Sequence, residues 1–181
     1  MTLTRRQLLA LPALASLARP AAAAAQTATG GTVAAQTATG GTAALRAALA
    51  LEHEAGHTFP ELGARVDEAT KELIRDLDAD HRRQRDRLIE ELVAAGDEPA
   101  AALPAYSLPL PVIDRSSALD VLLLLEEALV RAYAEVVTRA DRAGHRSLAA
   151  ELLARCATHQ TSLRFARARS LVDATDPLPG G

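Results

Sequence analysis

The chain has 181 residues, a formal net charge of −3, two tyrosines, two phenylalanines and no tryptophan. An acidic chain so poor in aromatics lacks the basic surface and stacking rings that nucleic-acid binding requires, so no nucleic-acid partner is expected. Arginine outnumbers lysine nineteen to one, which, with the alanine excess, marks a GC-rich genome rather than a function.

The first 25 residues read as an export signal. Thr4-Arg5-Arg6-Gln7-Leu8-Leu9 sets two adjacent arginines before an apolar run, Leu8 to Ala18, and Ala-x-Ala cleavage options fill Ala21 to Ala25. The run contains Pro12 and is only about a dozen residues long, whereas a membrane-spanning helix takes about 20. The expectation is export by the twin-arginine route to an extracytoplasmic location, in the cell envelope or secreted. No transmembrane helix is expected after cleavage. The signal carries Arg5, Arg6 and Arg19 and no acid, so its removal takes the net charge from −3 to −6. Residues 26–42 follow as a low-complexity spacer: Ala24 to Thr32 recurs at Ala34 to Thr42, rich in Gly, Thr and Gln and unable to build a core.

Residues 43–171 predict four long helices and no strand, because Val, Ile and Thr nowhere alternate in runs. The first helix spans about Ala43 to Val66, with Pro60 expected to kink or break it. The second starts at Asp67 as N-cap and stops at Gly96 as the C′ residue. The third starts after Asp114, with Ser117 and Asp120 as an alternative capping pair, and ends before Gly144. The fourth runs from about His145 to Leu171. Residues 172–181, with two prolines and two glycines, read as a flexible tail.

Connection lengths select the topology. The first and second helices meet in a tight turn, as do the third and fourth, so each pair is an antiparallel hairpin. Asp97 to Asp114 joins the hairpins through about 18 residues with four prolines. Extended, this link spans up to roughly 60 Å. A 28-residue helix is roughly 42 Å long, so the link can run the length of the bundle and leave the second and third helices parallel. Two hairpins joined by a long Pro-rich crossover is the ferritin-like four-helix bundle, an all-α fold.

Each helix carries an inner stripe at spacings of three and four, apolar except near its middle. The exceptions are Glu52, His81, Glu126 and His159. Counting residues from the connecting turns places all four within about one helical turn of a common layer. Buried carboxylates and imidazoles need partners. A metal ion is one partner, with iron, manganese or zinc suited to these donors. A metal-free Glu–His hydrogen-bonded network is the other.

Several segments carry a resemblance. Ala47–Leu51 followed by Glu52-His53, then His81-Arg82-Arg83 with Asp86 and Leu88, then Pro104-Ala105-Tyr106-Ser107-Leu108-Pro109, then Leu125-Glu126-Glu127 with Ala132-Tyr133, resemble one family. It is the ferritin-like domain of unknown function 4439 of exported actinobacterial proteins. The resemblance covers about Ala44 to Arg169 and implies the fold more than any activity.

A di-iron site of this fold takes one Glu from each of two helices and a Glu-x-x-His from each of the others. Glu52 and Glu126 match the single carboxylates. Asp78-x-x-His81 is a shortened version of the motif, and Cys156-x-x-His159 lacks the bridging carboxylate, so Asp78 and Cys156 are the weaker ligand candidates. One metal fits better than two, and a lost site fits better still; zinc accepts Cys, His and carboxylate together. The literal Glu-x-x-His, Glu54 to His57, lies about 200° round the helix from Glu52 and faces solvent. Cys156 reads as a small buried hydrophobe, Tyr106 as a plug seating the proline loop, and His53 and His145 as positions without a stripe role. Leu and Ala on outer faces of the last two helices permit a homodimer without requiring one. The expected function is a non-catalytic binding or structural protein of the cell envelope, or alternatively a metal-binding ferritin-like protein with a degenerate site, extending to an oxidoreductase.

Overall fold

The periodic apolar stripes fold as helices that bury them against one another. The computed structural model describes residues 40–175, which form four helices: α1 (Gly40–Gly63), α2 (Glu68–Ala94), α3 (Arg115–Arg139) and α4 (Ala143–Thr175). No strand occurs among the described residues. The export signal, nearly all of the spacer and residues 176–181 lie outside them. In cross-section α1 packs against α2 and α3, and α4 against α3 and α2. The parallel helices α2 and α3 are therefore diagonal, as the long crossover requires.

Local chemistry sets most helix ends. Asp67 caps α2, its side chain accepting from the Thr70 amide at 3.0 Å. Gly96 follows the C-cap with φ +79°, a left-handed conformation open to glycine. Asp114 and Ser117 form one capping box at the start of α3, so Asp114 is the N-cap and Ser117 its partner rather than a rival cap.

The other boundaries differ from expectation by a few residues. Among the described residues α1 reaches back to Gly40, and Gly41 packs directly against the backbone of Ala140. Pro60 lies inside α1 without breaking it. α3 stops at Arg139, and Gly144 sits inside α4, not between the helices. The Arg146 guanidinium donates to the Ala140 and Asp141 carbonyls at 2.7 and 3.0 Å, capping the end of α3. α4 runs on to Thr175, past the expected end at Leu171.

All four inner stripes are buried along the helices as the spacing predicts, from Leu45 to Leu62, Ile74 to Leu88, Leu119 to Val136 and Ala149 to Ala166. Val66, beyond the end of α1, is half-buried. The crossover is tied to α1. His53 Nε2 lies 3.0 Å from the Ala100 carbonyl, the Tyr106 ring packs on His57 at 5.4 Å, and the Tyr106 hydroxyl accepts from the Leu103 amide at 3.0 Å. Tyr106 thus seats the loop, and His53 gains a role that its stripe position did not give it. No described helix is long and apolar enough to cross a membrane.

A Cβ on Gly41 would lie 2.7 Å from Ala140 Cα, whereas one on Gly40 meets nothing. Gly41→Ala should cost about 1–3 kcal/mol in urea unfolding through overpacking, while Gly40→Ala should stay within about 0.5 kcal/mol of the parent.

A buried carboxylate–histidine layer as candidate metal centre

Halfway along the bundle the apolar stripes give way to one polar layer. α1 contributes Glu52, α2 His81, α3 Glu126 and α4 His159; the first three are fully buried and His159 is 5 % exposed. His81 lies between two carboxylates. Its Nδ1 is 2.9 Å from Glu52 Oε2, and its Nε2 is 2.9 Å from Glu126 Oε1. Since both partners are carboxylates, both ring nitrogens donate. Burial pulls the His81 imidazole down, but hydrogen bonds from the ring to Glu126 and Glu52, with their charges, overcome it and raise the pKa to about 10. His81 is therefore an imidazolium at neutral pH. The Phe59 ring packs on it at 4.7 Å, giving the cation an aromatic neighbour.

The layer extends on both sides. Glu126 Oε1 also meets His159 Nδ1 at 3.0 Å, and His159 Nε2 lies 3.2 Å from Asp80 Oδ2. Burial alone would raise the Glu126 carboxyl, yet His159 and His81 hold it below its ordinary value. At the other end the Tyr133 hydroxyl donates to Glu52 Oε1. Burial, reinforced by the Glu52 charge, holds that phenol well above its usual value, so it stays a donor. One atom is left over: Glu126 Oε2 is buried with no hydrogen-bond partner.

All four expected residues lie in one hydrogen-bonded layer, but Glu52 stands outside the cluster of possible ligand atoms, against His81 Nδ1 and the Tyr133 hydroxyl. His81, Glu126 and His159 each offer a ligand atom, and these lie within 4.8 Å of one another, a cluster that could hold a metal ion. Asp78 does not join it. It pairs with Arg82 at 2.8 Å on the flank of α2. Cys156 is in the core beside Gln84, its Sγ 3.8 Å from Gln84 Oε1, and is not part of the three-residue cluster. Burial, together with Glu126 and Glu52, pushes its thiol far up, which disfavours the thiolate that ligation needs. Glu54 and His57 sit outside the layer; Glu54 is half-buried with an interaction of its own rather than solvated. His145 is buried, 3.5 Å from Glu91.

Sequence reasoning missed Asp80 and the role of Tyr133. Asp80 falls three residues after Leu77 and four before Gln84, the neighbouring stripe position to His81, so it lines the α2–α4 seam. Tyr133 was on the α3 stripe, and a buried tyrosine needs a partner for its hydroxyl. The Arg82–Arg83 run is exposed, as a solvated face should be.

These shifts fix a pH dependence. His81 gains its partners on folding, so its contribution is fully present below its unfolded pKa of 6.5 and is lost as pH rises through about 10. The urea midpoint should therefore fall between pH 7 and pH 10, and His81→Gln should flatten that slope. Glu126→Gln, which leaves the buried His81 cation with Glu52 as its one remaining carboxylate, should cost about 1.5–3 kcal/mol at neutral pH.

Residues 44–181 match the family described as domain of unknown function DUF4439. No curated protein matches the chain. Among solved structures, the chain resembles a conserved hypothetical protein, rv2844, from Mycobacterium tuberculosis. It shares 26 % identity and a TM-score of 0.69, over 78 % of this chain and 96 % of that one. It also resembles a two-domain protein with dj-1/thij/pfpi-like and ferritin-like domains from Anabaena variabilis. There the identity is 16 % and the TM-score 0.63, over 80 % of this chain and 41 % of that one, a likeness of fold alone. The match across the whole bundle, and a fold shared with a ferritin-like domain, agree with the resemblance carried by Glu52, His81 and Glu126: the chain belongs to the DUF4439 family.

Proposed function

We propose that this is an exported, non-catalytic ferritin-like bundle acting in the cell envelope by binding or structure, in which a proton on His81 joins the carboxylates that a metal would otherwise join. The observation that carries this reading is the placement of both His81 ring nitrogens 2.9 Å from carboxylate oxygens on two other helices. The residues that would bridge a second metal are absent. The aspartate at 78 turns to Arg82 and position 156 is a cysteine, so the donor set does not fit a di-iron centre. The cysteine is buried and its thiol is held protonated, so it does not supply a ready nucleophile. The twin arginines at 5 and 6, the apolar run and the alanine tract support export.

A second reading has its own support. His81, Glu126 and His159 fit a single iron, manganese or zinc ion, and Glu126 Oε2 is a buried acceptor without a partner. Glu52 would then orient His81 through Nδ1. The ion would supply Lewis acidity or, for iron or manganese, redox chemistry. His81 must lose a proton to ligate, so affinity should rise with pH.

Elemental analysis of protein from its native host tests both readings. The first expects well under one metal ion per chain. One equivalent of iron, manganese or zinc would replace it with the second, and oxygen or peroxide turnover would refute a non-catalytic role. If the site binds zinc, titration at pH 6 and pH 8 should differ by about a hundredfold, one proton released per ion. Arg5→Lys with Arg6→Lys should retain the protein in the cytoplasm; unimpaired export of this pair would remove the route from the proposal.

A further inference from the structure

A second site lies on the outer side of the α1–α3 seam, away from the charged layer. It is a cleft of 260 Å³ with apolar walls from Leu51, Val121, Leu124 and Leu125, and Pro109 of the crossover also lines it. Leu124 is 41 % exposed, a large apolar side chain left open to water at the cleft. Val121 and Arg131 stand ten residues apart on α3, about 15 Å of groove.

One cation lines the cleft. Arg131 is exposed, with Glu127 and Glu135 four residues away on either side as its natural partners. Both are engaged elsewhere: Glu127 with Arg164 at 3.6 Å, Glu135 with Arg139 at 2.6 Å. Arg131 makes no ion pair among the described residues. Glu54 is the acid on the lining and has an interaction of its own. An apolar trough with an available guanidinium matches a ligand with an alkyl chain and one anionic head. A protein partner would bury about 800 Å² per side, far more than this cleft offers.

We infer that this cleft binds a single-chain anionic amphiphile of the fatty-acid class, its alkyl chain along Leu51, Val121, Leu124 and Leu125 and its carboxylate on Arg131. The site shares no residue with the charged layer, so it stands whether or not that layer takes a metal.

Calorimetric titration of the full chain with sodium decanoate, below its micelle concentration, tests it. The expected result is saturable binding of one decanoate per chain. Decyltrimethylammonium, with the same tail and the opposite head, should bind at least about tenfold more weakly, and Arg131→Gln should weaken decanoate by about tenfold. Leu124→Glu changes an exposed residue, so the fold should survive while binding is lost. Absence of saturable binding would overturn the inference. So would equal affinity for the cationic amphiphile, or wild-type affinity in both variants with helical content unchanged.

Discussion

A charged imidazole inside an apolar bundle is tolerable only where carboxylates meet it, and His81 is met by two. That demand organises the middle of the molecule. Glu52 and Glu126 must arrive from different helices at the same height, which fixes the register of α1 and α3 against α2. Glu126 then recruits His159, and His159 recruits Asp80. Glu52 recruits the Tyr133 hydroxyl. Apolar packing above and below could accept small sliding between helices; a hydrogen-bonded ion network does not, because each slipped contact strands a buried charge.

The fold was legible in the sequence because its signals were redundant. Stripes at spacings of three and four named the buried faces, and tight turns against one long proline-rich link named the topology. The caps at Asp67 and Asp114 were readable because a carboxylate placed just before a helix has one obvious use. The break between α3 and α4 was not readable. Gly144 looks like a terminator, but Arg146 satisfies the end of α3 from the next helix, a contact that exists only once the hairpin has closed.

The centre of the layer was legible for the same reason as the core: Glu52, His81, Glu126 and His159 interrupt otherwise apolar stripes. What the stripes could not tell was how the hydrogen bonds are shared. Asp80 lies one position off the stripe and is reached only because α4 leans its His159 toward the α2 seam. Asp78 and Asp80 lie two residues apart on one helix; Arg82 engages Asp78, while Asp80 reaches His159. Membership of the DUF4439 family and likeness to a ferritin-like domain fix the architecture, while the chemistry depends on these few substitutions within it.

The crossover divides the charged layer as well as the chain. The first hairpin holds Glu52 and His81, and the second holds Glu126, His159 and Tyr133. Each half therefore contains one carboxylate–imidazole contact, while the contacts from His81 to Glu126, from His159 to Asp80 and from Tyr133 to Glu52 join the halves. The two hairpins are electrostatic complements: each would bury an imperfectly matched polar pair against any other apolar surface. The same layer that burdens the core with charge thus acts as an address, directing each hairpin to the other and away from indiscriminate helical partners.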